Sequence, residues 1–304
     1  MGKIRINHVR FGGFDDCLEM DNGIVRLIVT TQVGPRILYL ACDGCENMLH
    51  RIAEDEGKTC DQTWRLFGGH RLWAGPQVRF RPNEPEDQPV KYILHEDGVT
   101  LTNEIQKESR IQKEIRIRMS EGDSHIQITH RITSWSVWPV ELTVWPVTVF
   151  PSDGVAFWSN AAPDTFYLPN DVQVFWPWTQ HDDPRFVRAR KVSYLKADPA
   201  NSDWFKIGMP NRSGFGVYCG KNQMFVKKYT YDKNAKYSDF GATLEVFCNE
   251  EFVELESVSP LYTLESGQTA EHTEHWYVYP NVAQPEEAAD MEALIQKYVE
   301  GIPL

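Results

Sequence analysis

Along most of the chain, apolar and polar residues alternate with a period of two. Val25, Leu27 and Val29 alternate around Arg26, Ile115, Ile117 and Met119 alternate with Arg116 and Arg118, and Ile126 and Ile128 alternate with Gln127 and Thr129. In a later run Phe252, Glu254 and Glu256 share one face while Val253, Leu255 and Ser257 share the other. Successive side chains of a strand point to opposite faces, so this pattern predicts half-buried strands of antiparallel sheets. Turn signals part the runs at Asp21-Asn22-Gly23, Asp43-Gly44, Glu96-Asp97-Gly98, Glu121-Gly122-Asp123 and Ser266-Gly267. One helix is predicted, over residues 285–300, where Ala288, Met291, Leu294, Ile295, Tyr298 and Val299 recur at helical spacing. Pro285 suits its first turn, Glu286 and Glu287 its positive end, and Gly301 follows its last turn. The helix is expected to pack on the outer face of a sheet.

Two stretches break the strand rhythm, one from about Arg51 to Val90 and one from about Pro151 to Asp203. Both are rich in Pro and aromatic residues (Trp64, Trp73, Pro76; Trp158, Phe175, Trp176, Trp178). Aromatic content argues against disorder, so both are expected as ordered loops laid over one end or face of the sheets. With no internal repeat and no linker, the expectation is an all-β chain forming one domain over residues 1–304.

Composition narrows the partners. The net charge is −12, from 31 basic and 43 acidic residues, and a field of that sign repels nucleic acid and anionic membranes. No apolar run reaches the roughly 18 residues a membrane span needs. The N-terminal MGKIRINHVRFGG has no apolar leader segment, and six Cys in 304 residues form no disulfide framework. Cys42-Asp43-Gly44-Cys45 has half the spacing of a zinc site and no second half. A cytoplasmic protein without metal or cofactor is expected.

Three constellations could carry chemistry. In Gly68-Gly69-His70-Arg71-Leu72-Trp73, a proton-moving His, a forked Arg donor and the flat face of Trp73 suit a polar ligand with an apolar side, which describes a sugar. A structural turn with Arg71 in an ion pair is the alternative. Glu254 and Glu256 face the same way on their strand, and their repulsion can prepare one as acid or base; a solvated strand face is the alternative. Lys206 and Lys227 among aromatic strands, with Tyr237 and Asp239, could line a polar pocket or simply snorkel at the surface. His272 and His275 would point to opposite faces of a strand, which disfavours a metal pair, and His130, in phase with Ile126, Ile128 and Ile132, fits a hydrogen-bonded core histidine.

Taken in order along the chain, these segments resemble the galactose-mutarotase-like β-supersandwich superfamily, most nearly a bacterial branch described as a domain of unknown function. The resemblance rests on Val33-Gly34-Pro35-Arg36-Ile37 followed by Asn47, on Gly68 to Trp73, on the strand from Val137 to Phe150 with Glu141-Leu142-Thr143-Val144-Trp145, and on Leu255-Glu256 before Leu264-Glu265-Ser266-Gly267. It implies an all-β supersandwich of antiparallel sheets with one C-terminal helix. It also implies a small carbohydrate ligand in a concave groove and an aldose 1-epimerase-like isomerase, in which a carboxylate takes the anomeric proton while a histidine protonates the ring oxygen. Glu256 falls at the position of the base. Arg71, Trp73, Trp145, Lys206, Lys227, Tyr237, Asp239 and Glu254 are the expected substrate-binding residues. No His stands near Trp145, where the resemblance places the acid, so His70 is the candidate donor. A sugar-binding or sensing protein without turnover, and a glycoside-cleaving or lyase enzyme, remain open.

Overall fold

The computed structural model describes residues 4–78, 84–160 and 169–303. Among these residues, two antiparallel sheets face each other. The first runs, in spatial order, Arg5–Phe11, Phe14–Asp21, Val25–Thr30, Arg36–Cys42, His70–Gly75, Val140–Pro151, Phe252–Ser257, Leu244–Cys248, Phe205–Met209 and Val174–Phe175, with Tyr262–Leu264 paired beside the start of the Val140 strand. The second runs Phe186–Arg188, Val192–Lys196, Val155–Ser159, Phe215–Gly220, Gln223–Tyr229, Thr269–Pro280, Ile126–Ser134, Ile111–Met119, Gly98–Thr102 and Lys91–His95.

The period-2 pattern explains how the sheets join. Leu27, Val29, Leu72, Val144, Ile207, Val246, Val253 and Leu255 from the first sheet, and Ile115, Ile117, Ile126, Ile128, Phe225 and Trp276 from the second, form one continuous buried core. The expected helix is Ala288–Tyr298, capped by reciprocal hydrogen bonds between Glu287 and Asp290. Met291, Ile295 and Val299 pack on Val155, Val192, Val217 and Val226, the outer face of the second sheet. No helix among the described residues is long and apolar enough to cross a membrane.

The two aromatic-rich stretches are less loop-like than expected. His70–Gly75 is a fully buried central strand of the first sheet, and the second stretch contributes Val155–Ser159, Val174–Phe175, Phe186–Arg188 and Val192–Lys196. Alternation was invisible in His70–Gly75 because both of its faces are buried and each carries a polar residue, His70 on one and Arg71 on the other. Parts of the two stretches, residues 79–83 and 161–168, lie outside the described residues.

Candidate functional site

Strand register draws the site on the face of the first sheet that points away from the second. Arg36 stands opposite Arg71, Arg71 opposite Val147, Val147 opposite Glu256, Glu256 opposite Glu245, and Glu245 opposite Gly208. Two residues further along, Val149, Glu254, Phe247 and Lys206 form a parallel row. On the other side Trp73 stands opposite Trp145. Three carboxylates and three cations, Arg36, Arg71 and Lys206, thus share one strip of sheet, all buried.

Lys206 ties the strip together. Its Nζ donates to Glu256 Oε2 at 3.0 Å and lies 2.7 Å from Glu245 Oε2. Trp145 Nε1 donates to the same Glu256 oxygen at 2.7 Å. The ammonium also sits 4.7 Å from the Trp145 ring centroid and 4.6 Å from that of Trp176, positions in which a cation is attracted to the ring face. Arg71 donates to Glu254 Oε1 at 2.7 Å and lies 4.2 Å above the Trp73 ring, which meets Trp145 edge-on. A side chain at position 208 would press against Trp176 at 3.4 Å and Ala242 at 3.1 Å, so glycine there makes room for the Trp176 ring.

Over this strip opens a cavity of about 330 Å³ lined by Gln77, Trp145, Trp176, Trp178, Asp239 and Glu245, at the small end of the range for ligand pockets. Its rim includes a strained turn, where Asp239 and Phe240 both take left-handed backbone angles (φ 48° and 56°) and the Phe240 ring is 90% exposed. On this face several buried atoms lack a hydrogen-bond partner among the described residues: Glu256 Oε1, both oxygens of Glu245, and Nε and Nη1 of Arg71. For Glu245 the lysine is near enough for an ion pair but off the hydrogen-bonding direction.

Burial sets the titration of this strip. It pushes the Glu245 carboxyl up to about 8; Lys206 pulls against that shift, while Glu256 and Asp239 add to it. Burial also raises Glu254, with Arg71 opposing and Glu256 reinforcing. For Lys206, burial favours the neutral amine, but Glu245 and Glu256 outweigh it and hold the ammonium above its ordinary value.

Of the residues expected from sequence, Glu256, Glu254, Arg71, Trp73, Trp145 and Lys206 gather on this face, and Asp239 lines the cavity. Three do not join them. Tyr237 stacks on Tyr231, and its hydroxyl bonds the Asp232 backbone. His70 cannot be the acid partner of Glu256: it lies on a strand rather than in a loop, so it points opposite to Arg71 and Trp73, into the core. Lys227 belongs to the second sheet and enters the same core from the other side, where Nζ donates to the Leu255 carbonyl at 2.9 Å and pairs with Glu274 at 2.9 Å.

In the core these two meet a closed network. His130 Nδ1 points at the His272 carbonyl at 3.1 Å, which makes it the protonated nitrogen and leaves Nε2 to accept from His70 Nε2 at 2.8 Å; His70 Nδ1 then accepts from Thr148 Oγ1 at 2.9 Å. Ser257 Oγ donates to Glu274 at 2.6 Å and meets His272 Nε2 at 2.8 Å, and Trp276 Nε1 donates to Glu274 at 2.8 Å. His70, His130 and Glu274 come within 4.8 Å of one another, a spacing that could gather a metal ion, but their donor and acceptor atoms are committed to these bonds. His130 is the core histidine its strand phase predicted, and His272 and His275 lie on opposite faces, the latter stacked on His125.

Sequence reasoning missed Glu245, Trp176, Trp178 and Gln77. Glu245 could have been found, since Leu244, Val246 and Cys248 alternate with Glu245 and Phe247 just as the Glu256 strand does. The two Trp residues sat among the aromatics of a segment read as a loop.

No protein-family model matches the sequence, and no curated protein matches it either. Solved structures do match. A galactose mutarotase-like protein from Clostridium acetobutylicum aligns with a TM-score of 0.56 at 11% identity, over 91% of this chain and 99% of the other. One from Lactobacillus casei aligns with a TM-score of 0.55 at 11% identity, over 86% and 100%. A TPR-domain containing protein from Parabacteroides distasonis aligns with a TM-score of 0.59 at 10% identity, over 95% of this chain and 49% of its own. Two antiparallel sheets, a single C-terminal helix and this set of neighbours together give the chain the galactose mutarotase-like sandwich fold.

Proposed function

We propose that the protein binds a sugar or sugar derivative in the Trp-lined cavity and interconverts its anomers, as an aldose 1-epimerase-like isomerase with Glu256 as base. The observation that carries this reading is Glu256 itself. Trp145 and Lys206 fix one oxygen of its carboxylate, while the other has no partner among the described residues, and its cross-strand neighbour Glu245 lines a cavity walled by three Trp rings. Flat aromatic walls suit the C–H face of a sugar, and Gln77 and Asp239 offer partners to its hydroxyls. In the reaction, the base takes the anomeric hydroxyl proton, the C1–O5 bond opens as the ring oxygen gains a proton, and closure on the other face gives the other anomer.

The test is NMR saturation transfer between anomers across a panel of aldoses. Wild-type protein should accelerate exchange of at least one sugar, and Glu256→Gln should return it to the buffer rate. A wild type that exchanges no sugar faster than buffer ends this reading. Sugar binding without turnover is the second reading, favoured by the complete burial of Glu256 behind Trp145; calorimetry would then show a binding heat with no exchange. Cleavage of a glycosidic bond is a poorer fit, because glycosidase carboxyls flank the bond they break, whereas Glu245 and Glu256 stand side by side on one ammonium.

A further inference from the structure

We propose that Glu245, rather than any histidine, gives the ring-oxygen proton when the sugar opens and takes it back when the sugar closes. This rests on the isomerase reading above and supplies the acid that reading lacks. No histidine lines the cavity among the described residues, and Glu245 is the carboxyl on its wall that strand register sets directly opposite Glu256. Reaction geometry asks for such a pair. The anomeric hydroxyl and the ring oxygen are bonded to the same carbon, so the base for one and the acid for the other must be neighbours. Glu245 and Glu256 are, sharing Lys206 at 2.7 and 3.0 Å.

The hydrogen bonding of Glu245 points the same way. It is 1% exposed, and among the described residues its one polar contact is the Lys206 ammonium, 2.7 Å from Oε2 and shared with Glu256. A buried anion that must share its single counter-ion with a second carboxylate is costly, whereas a protonated carboxyl in that position has an O–H to offer to a ligand in the cavity. The charged groups facing it come from three elements: Lys206 on one neighbouring strand, Glu256 on the other, and Asp239 from the rim turn. Burial, Glu256 and Asp239 favour the protonated form, and Lys206 opposes them. Lys206 is a poorer donor, since the Glu256 carboxylate holds its ammonium at 3.0 Å.

The step balances without any other reagent. The Glu245 O–H bond breaks as its proton forms the O5–H bond, and the C1–O5 electron pair moves onto O5. Glu256 takes the proton from O1, whose electron pair forms the C1=O1 bond of the open aldehyde. Ring closure reverses each transfer and restores both carboxyl groups.

Glu245→Gln keeps the shape and removes the transferable proton. Exchange should fall about 10²- to 10⁴-fold, the usual contribution of general acid catalysis, while calorimetric affinity for the same sugar changes less than a few-fold. Since the donor must be protonated, wild-type exchange should decline above its titration near pH 8, and the variant's residual rate should show no such decline. An active wild type whose Glu245→Gln variant exchanges as fast overturns the proposal and leaves the isomerase reading standing; an inactive wild type overturns both. Should the variant fail to fold, the wild-type profile alone decides: a rate that does not decline above pH 8 rules out a carboxyl donor at this position.

Discussion

The sheet that carries the cavity has a buried polar cluster on each of its two faces, and they differ in one respect. On the core face, His70, His130, Thr148, Lys227, Ser257, Glu274 and Trp276 bond one another at 2.6 to 2.9 Å. On the outer face, Glu245, Glu256 and Arg71 keep five buried atoms without hydrogen-bond partners among the described residues. Buried polar groups in folded proteins are almost always satisfied, and a complete network fixes a single packing. The core cluster therefore reads as structure, joining Ser257 and the Leu255 carbonyl of the Glu256 strand to the second sheet. On the reading proposed above, the partners that Glu245 and Glu256 lack among the described residues are those a sugar would bring. Substitutions in the core should act on stability and those outside on sugar affinity and turnover.

The largest expected effect is on the core, by acid. Burial depresses His130 and His272 from 6.5 to about 3 and holds His70 well below its ordinary value. At these three histidines the unfolded chain binds more protons than the folded one between pH 6.5 and about 3, so their contribution is fully present above pH 6.5 and drains away as pH falls. Each unit of depression corresponds to about 1.36 kcal/mol, which puts their joint effect above that of any single substitution below. Glu245 and Glu254, raised by burial, work in the opposite sense over part of this range, so urea unfolding from pH 7 to 4.5 is compared between wild type and His130→Gln; a wild type that loses no more stability on acidification than the variant would mean that His130 is not held neutral.

Next in size is Lys227→Met, which leaves Glu274 buried without its counter-ion. Breaking a buried pair from one side costs about 3–5 kcal/mol, to be read as a lower urea midpoint at unchanged slope. On the outer face, Trp176→Ala should weaken sugar binding about 30-fold, equivalent to about 2 kcal/mol for a central Trp anchor, as measured by calorimetry. Folding should suffer less, because Trp176 stacks over Gly208 and Lys206 at the sheet edge rather than filling the core. If Lys227→Met spared stability and instead abolished affinity, the division between the two faces would be wrong.

This division also explains what the sequence could and could not disclose. Alternation in Phe252–Ser257 was enough to place Glu254 and Glu256 together, and the spacing of Ala288 to Val299 was enough for the helix. His70, Arg71 and Trp73 looked like one constellation because they are neighbours in sequence. A strand separates neighbours, and only knowledge that His70–Gly75 is a strand assigns His70 to one cluster and the other two to the other. Lys206 and Lys227 looked equivalent for the opposite reason: each follows an aromatic run, yet they belong to different sheets. Glu245 depended on cross-strand register, a long-range relation that alternation alone does not encode.

The smallest expected effect sharpens the boundary of the outer cluster. Tyr237 and Asp239 are two residues apart, but the left-handed backbone at Asp239 and Phe240 turns the chain so that Asp239 faces the cavity, while Tyr237 folds back on Tyr231 and Asp232. Tyr237→Phe removes a partly exposed hydroxyl whose partners are exposed backbone, so stability should stay within about 0.5 kcal/mol and calorimetric sugar affinity should not change. Asp239→Asn, by contrast, withdraws a negative charge that helps keep Glu245 protonated, so the alkaline decline of exchange should move to lower pH. A Tyr237→Phe variant that bound sugar more weakly than Asp239→Asn would mean that the ligand lies over the turn instead of inside the Trp-lined cavity.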